Sequence, residues 1–194
     1  MLNDNLMKKR QLGVTLVELM ITVAIVGILI SIVTPNIRPT FTKSSITADI
    51  NDLNSLFQHA RFTAVDQQST VVICPSADFS TCSTSWTDSK IAFIDANNND
   101  TLDANETLLS STEALASNRM ASNRNIIRFL DSGASSFDAN TNAMAQSAIV
   151  ICPDNNDSNF AKGLYVTPQG RIRLSQDSND DGRDEDISGT NLSC

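Results

Sequence analysis

Lys8-Lys9-Arg10-Gln11-Leu12-Gly13-Val14-Thr15-Leu16-Val17-Glu18-Leu19-Met20 is the stretch whose reading decides the fold. Three cations precede Gly13. An apolar run of 21 residues, Val14 to Thr34, then follows with a single charge in it, Glu18. At ~1.5 Å per helical residue the run reaches about 31 Å, the thickness of a bilayer's hydrocarbon core. A carboxylate near the start of a membrane helix is costly and calls for a partner. A cleaved secretory signal does not fit, because its apolar core has only about 7–15 residues and its small residue follows that core. A plain single-pass anchor leaves the glutamate unexplained.

Gly13-Val14-Thr15-Leu16-Val17-Glu18 resembles the class III leader of type IV pilins and type II secretion pseudopilins. The resemblance implies a prepilin peptidase that cuts after Gly13 and methylates the new N-terminus at Val14, where phenylalanine is usual. It also implies an assembly role for Glu18, paired with the N-terminal amine of a neighbouring subunit. The physics of a buried charge agrees with such a role. An unpaired carboxylate in an apolar setting costs more than the pair returns in net stability, so a glutamate satisfied only in the polymer acts as a register device.

The resemblance extends along the chain, to the GspH/FimT branch of pseudopilins and minor pilins. It rests on Ala60-Arg61 and Ala64, on Val72-Ile73-Cys74-Pro75-Ser76, and on Cys82 and Trp86. Phe93-Ile94-Asp95 with Asn97 and Glu106, and Gly170-Arg171-Ile172-Arg173, complete it. The fold it implies is a pilin-like lollipop of class α+β, a long N-terminal helix packed on an antiparallel β-sheet head. The implied partners are other minor and major pilins or pseudopilins, the prepilin peptidase, an inner-membrane assembly platform and the membrane itself. Loss of surface pili would mark the pilus role and loss of exoprotein release the secretion role; the residues do not separate the two.

Four segments follow: a leader (1–13), a transmembrane and assembly helix (14–34), an amphipathic helix (35–68) and a β-rich globular head (69–194). Pro35 and Pro39 interrupt the helix, each removing a backbone donor. Beyond them Ile46, Ile50, Leu53, Phe57, Ala60 and Ala64 repeat at helical spacing and make one apolar face, which asks for a sheet as cover. Strands are predicted over 70–74, 90–94, 125–130, 148–152, 163–167 and 171–175, separated by turn formers. Residues 110–123 read as a short helix or a loop. Trp86 reads as a core residue.

The chain of 194 residues has a formal net charge of −8, and removing the leader, with Lys8, Lys9, Arg10 and Asp4, makes it more acidic still. That argues against a general nucleic-acid coat, which draws on clustered cations. The leader's cations place the head outside the cytoplasm, in an oxidising compartment. Four cysteines permit three pairings; the pairing adopted is Cys74 with Cys82, near neighbours, and Cys152 with Cys194, which pins the C-terminus. A zinc site is the weaker alternative, with no CxxC spacing and one histidine, His59.

Asp95, Asn97, Asn99, Thr101, Asp103 and Glu106 fall on the ligand positions of an EF-hand loop, a spacing suited to Ca²⁺. Asp100 stands where that loop wants glycine, and a polar hairpin rich in turn formers is the competing reading. The stretch from Asp177 to Asp186 begins in the same way but lacks a glutamate at the twelfth position, and reads as a solvated acidic tail. Arg171 and Arg173 alternate in an extended segment, which puts both guanidiniums on one side where they can bridge phosphates. In FimT-type minor pilins such a segment is implicated in DNA uptake, so DNA is an alternative partner; the acids that follow oppose it. No enzymatic signature is present: no glycine-rich phosphate loop after a strand, no HExxH, no GxSxG. No cofactor other than a structural Ca²⁺ is expected.

Overall fold

The computed structural model describes residues 13–136 and 146–194, with the side chains of 32–36 outside that description. The predicted leader, apart from Gly13, therefore lies outside the described residues. The first element is one α-helix, α1 (Leu16–Gln67), of 52 residues. Pro35 and Pro39 do not end it, contrary to the sequence reading. Each proline removes one intrahelical donor, a loss that leaves most of the ladder in place. The chain divides into two compact units after Thr40.

In the first unit the apolar side chains face outward all round the helix, Leu16, Leu19, Val23, Ile25, Ile28 and Ile30 among them, each more than half exposed. The polar hydroxyls there satisfy themselves locally: Thr22 Oγ1 donates to the Leu19 carbonyl (2.8 Å) and Ser31 Oγ to that of Ile28 (2.7 Å). Among the described residues no helix is long and apolar enough to cross a membrane. The last part of the predicted membrane segment, 32–34, falls among residues whose side chains are not described.

The second unit, Phe41–Cys194, places the C-terminal part of α1 against two antiparallel sheets. Ile46, Ile50, Leu53, Phe57, Ala60 and Ala64 are all buried, as their spacing requires, with Leu56 beside them. The amphipathic stretch thus belongs to the same compact unit as the predicted head. In chain order the strands are β1 (Val71–Pro75), β2 (Lys90–Ile94), β3 (Leu108–Thr112), β4 (Asn118–Ser122), β5 (Ile127–Phe129), β6 (Ser135–Ser136), β7 (Ser147–Pro153), β8 (Lys162–Val166) and β9 (Ile172–Leu174). One sheet has the order β3-β2-β1-β5-β6 and the other β4-β7-β8-β9.

Period-two alternation explains how β1 serves two layers. Val71 and Ile73 join the helix in the main core, while Val72 and Cys74 face the other way with Ile91 and Phe93. Phe57 meets Phe129 edge-on at 6.2 Å and lies 6.5 Å from Trp86 between ring centroids. Trp86, buried, also donates from Nε1 to the Arg124 carbonyl at 2.7 Å, so the core role is observed together with its polar anchor. Each such side chain fully buried contributes ~1.5–3 kcal/mol.

Residues 110–123 contain the end of β3 and all of β4, not a helix. Leu108-Leu-Ser-Ser-Thr112 and Asn118-Arg-Met-Ala-Ser122 have little intrinsic strand preference, and pairing with β2 and β7 imposes the strand. Asn118 ties β4 to α1, donating from its amide to Ser45 and Asp49. The disulfides are Cys74–Cys82 and Cys152–Cys194, as expected, and the described chain has no free cysteine.

Candidate functional site

At the N-terminus Thr15 precedes the first helical residue, and its hydroxyl accepts the backbone N–H of Glu18 at 3.2 Å. Thr15-Leu16-Val17-Glu18 is the S/T-x-x-E pattern of a capping box, a signal present in the sequence that the membrane reading passed over. Glu18 occupies the first turn, where the helix dipole favours negative charge, and its side chain is exposed. Part of the cost of the carboxylate is therefore offset within its own helix. Val14 and Gly13 lie just before the helix and are exposed.

Arg171 and Arg173 are placed by the β8–β9 hairpin. Thr167 starts its turn: its carbonyl accepts from Gly170 N (2.8 Å) and its own N–H donates to the Arg171 carbonyl (2.9 Å). Gly170 has φ +72°, and a Cβ built there would lie 1.9 Å from the Gly133 carbonyl oxygen. That carbonyl also accepts from Arg61 Nε at 3.1 Å. The glycine of the Gly170-Arg171-Ile172-Arg173 segment is thus demanded by packing between two turns and the helix. Ile172 packs against the main core, and the residues on either side of it, Arg171 just before the edge strand β9 and Arg173 within it, are exposed. Neither belongs to an ion pair among the described residues. Arg173 faces a cleft of about 360 Å³ shared with Glu185 and Asp186.

The loop after β2 wraps around Asp95, which is buried. Its carboxylate accepts the backbone N–H of Asn99 (3.1 Å) and Asp100 (2.9 Å); Asn97 Oδ1 accepts Asn99 N (3.0 Å) and Asn99 Oδ1 accepts Thr101 N (2.9 Å). Asp100 takes the glycine position at φ +61° and pairs with Arg128, which compensates the left-handed backbone. Asn97 and Asn99 both donate their amides to Asp103 Oδ2, at 2.8 and 3.0 Å. Glu106 turns back to accept Ala96 N and Asp103 N. Asn97 and Asn99 thus converge on Asp103, whose carboxylate already meets amide donors, while Asp95, Asp103 and Glu106 do not bring their carboxylates together as a metal-binding group.

The stretch from Asp177 to Asp186 is not the solvated tail the sequence suggested. Asp184 and Glu185 are buried, and Glu185 bridges to both Gln176 and Asn191. Asp184 takes Lys162 Nζ at 2.8 and 2.9 Å and the Ser175 hydroxyl at 2.6 Å. The reading failed because Lys162 and Ser175 lie on β8 and just after β9, a long-range pairing that composition does not reveal. The loop repeats the Asp95 scaffold position by position: Asp177 accepts the N–H of Asp181 and Gly182, Asn179 that of Asp181, and Asp181 that of Arg183. Hydrogen bonds, first from the Asn191 amide and then from Arg183 N, hold the Asp181 carboxyl below its ordinary pKa. Tyr165, on the outer face of β8, is pushed up to about 12, first by burial and then by Asp186 and Asp184. His59 is exposed on α1 and sits in no cluster of metal-binding groups among the described residues.

The description "Type II transport protein GspH" matches residues 49–170, and a prokaryotic N-terminal methylation motif matches residues 8–34. Among solved structures, the type IV minor pilin FimU of Pseudomonas aeruginosa is similar with a TM-score of 0.55 and 18% identity, covering 69% of this chain and 90% of that one. A second crystal form of FimU gives 0.50 and 17%, covering 67% and 92%. The minor pseudopilin EpsH of the Vibrio cholerae type 2 secretion system gives 0.48 and 10%, covering 67% and 95%. No curated protein matches by sequence. The matched span runs from the amphipathic half of α1 to Gly170, through both sheets, and on that basis the chain belongs to the GspH family of type II transport proteins.

Proposed function

We propose that the mature chain is a minor subunit of a type IV pilus or a type II secretion pseudopilus, placed at or near the filament tip, where it helps initiate assembly. The observation that carries this reading is the N-terminal methylation motif over 8–34 leading into a helix whose apolar side chains are exposed on every side. A helix apolar all round needs a bilayer or neighbouring helices as cover. The prepilin peptidase cuts after Gly13 and the amine of Val14 is methylated. The segment 14–34 then resides in the inner membrane with the head in the periplasm, where both disulfides persist. The assembly platform extracts the subunit, and Glu18 pairs with the N-terminal amine of a neighbouring pilin.

Glu18→Ala tests the reading. Membrane insertion should stay intact while the fraction recovered in sheared filaments falls at least tenfold, and Glu18→Asp should restore part of it. Normal incorporation of the alanine variant removes Glu18 from the mechanism. Deleting the protein distinguishes the two machines, through loss of surface pili or loss of exoprotein release.

A second reading is favoured by one observation, that Arg171 and Arg173 are exposed at an edge strand and its start without an ion pair among the described residues. Such a pair can bridge phosphates of DNA during uptake. The acidic stretch beginning at Asp177 opposes approach of a polyanion, so binding should fall steeply with salt. Duplex DNA titrated against the detergent-solubilised chain at about physiological salt, with the Arg171→Gln, Arg173→Gln variant as control, decides this reading.

A further inference from the structure

Asp177, Asp181 and Glu185 each bring a carboxylate oxygen within 4.8 Å of the other two. Asp181 is exposed and Asp177 half-buried, and acids grouped at a surface often bind nothing. Glu185 is different. It is 4% exposed, and its Oε2 accepts from both the backbone N–H and the hydroxyl of Ser178, at 2.7 Å each. Its Oε1 is buried with no hydrogen-bond partner. Burying an ionised oxygen without a partner costs on the order of several kcal/mol, so a native fold that keeps one has a use for it. Here the orphan belongs to a carboxylate facing two others.

We propose that this loop binds a divalent cation, Ca²⁺, with the carboxylates of Asp177, Asp181 and Glu185 as ligands. These are positions 1, 5 and 9 of an EF-hand-type loop, with the Asn179 amide at position 3 and the Arg183 carbonyl at position 7. Gly182 fills position 6 at φ +87° in open space, the sharp turn that such a loop requires. An all-oxygen set without histidine or cysteine selects a hard cation. Asp184, between the ligands, is already held by Lys162, and the one cation of the loop, Arg183, donates to the Leu192 carbonyl at 3.2 Å.

Comparison with the Asp95 loop sharpens the assignment. There the ninth-position carboxylate, Asp103, receives two side-chain amides. In the second loop position 5 is Asp181 in place of an asparagine, so one of those donors is gone and a charge is added. Asn191 and Asn179 give their amides to Asp181 Oδ2, at 2.8 and 3.4 Å, so the position-9 carboxylate, Glu185, keeps its Oε1 without a donor, and the cation takes that donor's place. Its consequence is to fix the C-terminal segment, since Glu185 bridges Gln176 to Asn191 ahead of the Cys152–Cys194 disulfide. This proposal stands independently of which filament the protein joins.

The test is calorimetric titration of CaCl₂ into the full chain in dodecyl maltoside, oxidised and stripped with EGTA. With three carboxylates and no bidentate glutamate at position 12, the expected Kd is about 10⁻⁴–10⁻³ M. Asp181→Asn and Glu185→Gln should each weaken that event at least tenfold, while Asp103→Asn in the other loop leaves it in place. Should Glu185→Gln fail to fold, Asp181→Asn decides alone, because its side chain is exposed. Absence of any Ca²⁺ event in the native protein overturns the proposal. So does an event that the interpretable variants leave within tenfold, including one lost only in Asp103→Asn.

Discussion

Gly170→Ala is the substitution whose outcome the structure fixes most sharply. A Cβ at this position meets the Gly133 carbonyl oxygen at 1.9 Å and Arg61 Nε at 3.0 Å. The carbonyl is backbone, so relief requires one turn to move by more than an ångström. Three interactions lie in the path of that movement. Arg61 Nε donates to the same carbonyl (3.1 Å), Ser135 N donates to the Pro168 carbonyl (3.0 Å), and Ser135 Oγ donates to that of Thr167 (2.7 Å). A left-handed φ adds about 1 kcal/mol for any residue with a Cβ. Loss of the arginine bond adds about 1.5–3 kcal/mol and weakening of the others about 1 more, for a total of about 3.5–5 kcal/mol.

Trp86, the only tryptophan and buried in the core, reports unfolding of this unit by fluorescence. At a urea m-value of about 2 kcal/mol/M the midpoint should fall by roughly 2–2.5 M. Gly189→Ala is the control: it has φ +84° but nothing within 4 Å of the added carbon, so it should lose only about 1 kcal/mol. Equal losses in the two variants would refute the close approach. The result bears on function as well. If Gly170→Ala abolishes DNA binding, that reports a collapsed hairpin, and only changes at Arg171 and Arg173 themselves test recognition.

Lys90 is buried on β2, and burial pushes its pKa down to about 8 from 10.5 despite Asp49 and Asp88 nearby. The unfolded chain keeps the proton up to 10.5 while the folded chain releases it near 8, so folding stability should rise with pH across that window. Lys90→Met should abolish the rise and stabilise the protein by about 1–3 kcal/mol at pH 7, read from urea midpoints; a less stable variant would show that the charge is favourably held. The Cys152→Ser, Cys194→Ser variant opens a loop with a sequence separation of 42, against 8 for Cys74–Cys82. Chain entropy assigns it up to about 4 kcal/mol. Trypsin should then cut at Arg183 much faster than in the native chain, and unchanged cutting would mean that the tail is held without the bridge.

The parts of the fold legible in the sequence are those with a strong local period or chemistry of their own. The apolar face from Ile46 to Ala64, the strand Val71–Cys74 and the proximity of Cys74 to Cys82 all speak through short-range pattern. Strands β3 and β4 do not, because Ser110-Ser111-Thr112 and Asn118-Arg119-Met120 become strands only by pairing with β2 and β7. Pro35 and Pro39 misled in the opposite sense, since a proline deletes one donor and a long helix retains the rest. Of the candidate site residues, Arg171 and Arg173 are both exposed, on either side of the half-buried Ile172. Glu185 was hidden because its burial depends on contacts with Gln176, Ser178 and Asn191, and no rule of spacing announces a buried oxygen without a partner.

The Asp95 loop joins β2 to β3 and the Asp177 loop follows the edge strand β9, yet the two share a structural reason. The outer face of the first sheet, Val72, Cys74, Ile91 and Phe93, is covered by Cys82 and by Leu102 of the Asp95 loop. The outer face of the second, Cys152 and Tyr165, is covered by Leu192, just beyond the Asp177 loop. Each cover pairs a disulfide with a loop stiffened by Asp and Asn side chains that accept backbone N–H groups. Neither cover contains a helix or a strand of ordinary length, so side-chain oxygens must organise what a regular element would otherwise organise. In the first loop the organising charge is internal, the Arg128–Asp100 pair and two asparagine amides. In the second the carboxylates outnumber the donors, and a bound cation completes the arrangement. Filling that site also lowers the negative field beside Arg173. Calcium should therefore strengthen any polyanion binding at the β9 edge, and Glu185→Gln should remove that dependence while leaving both arginines in place.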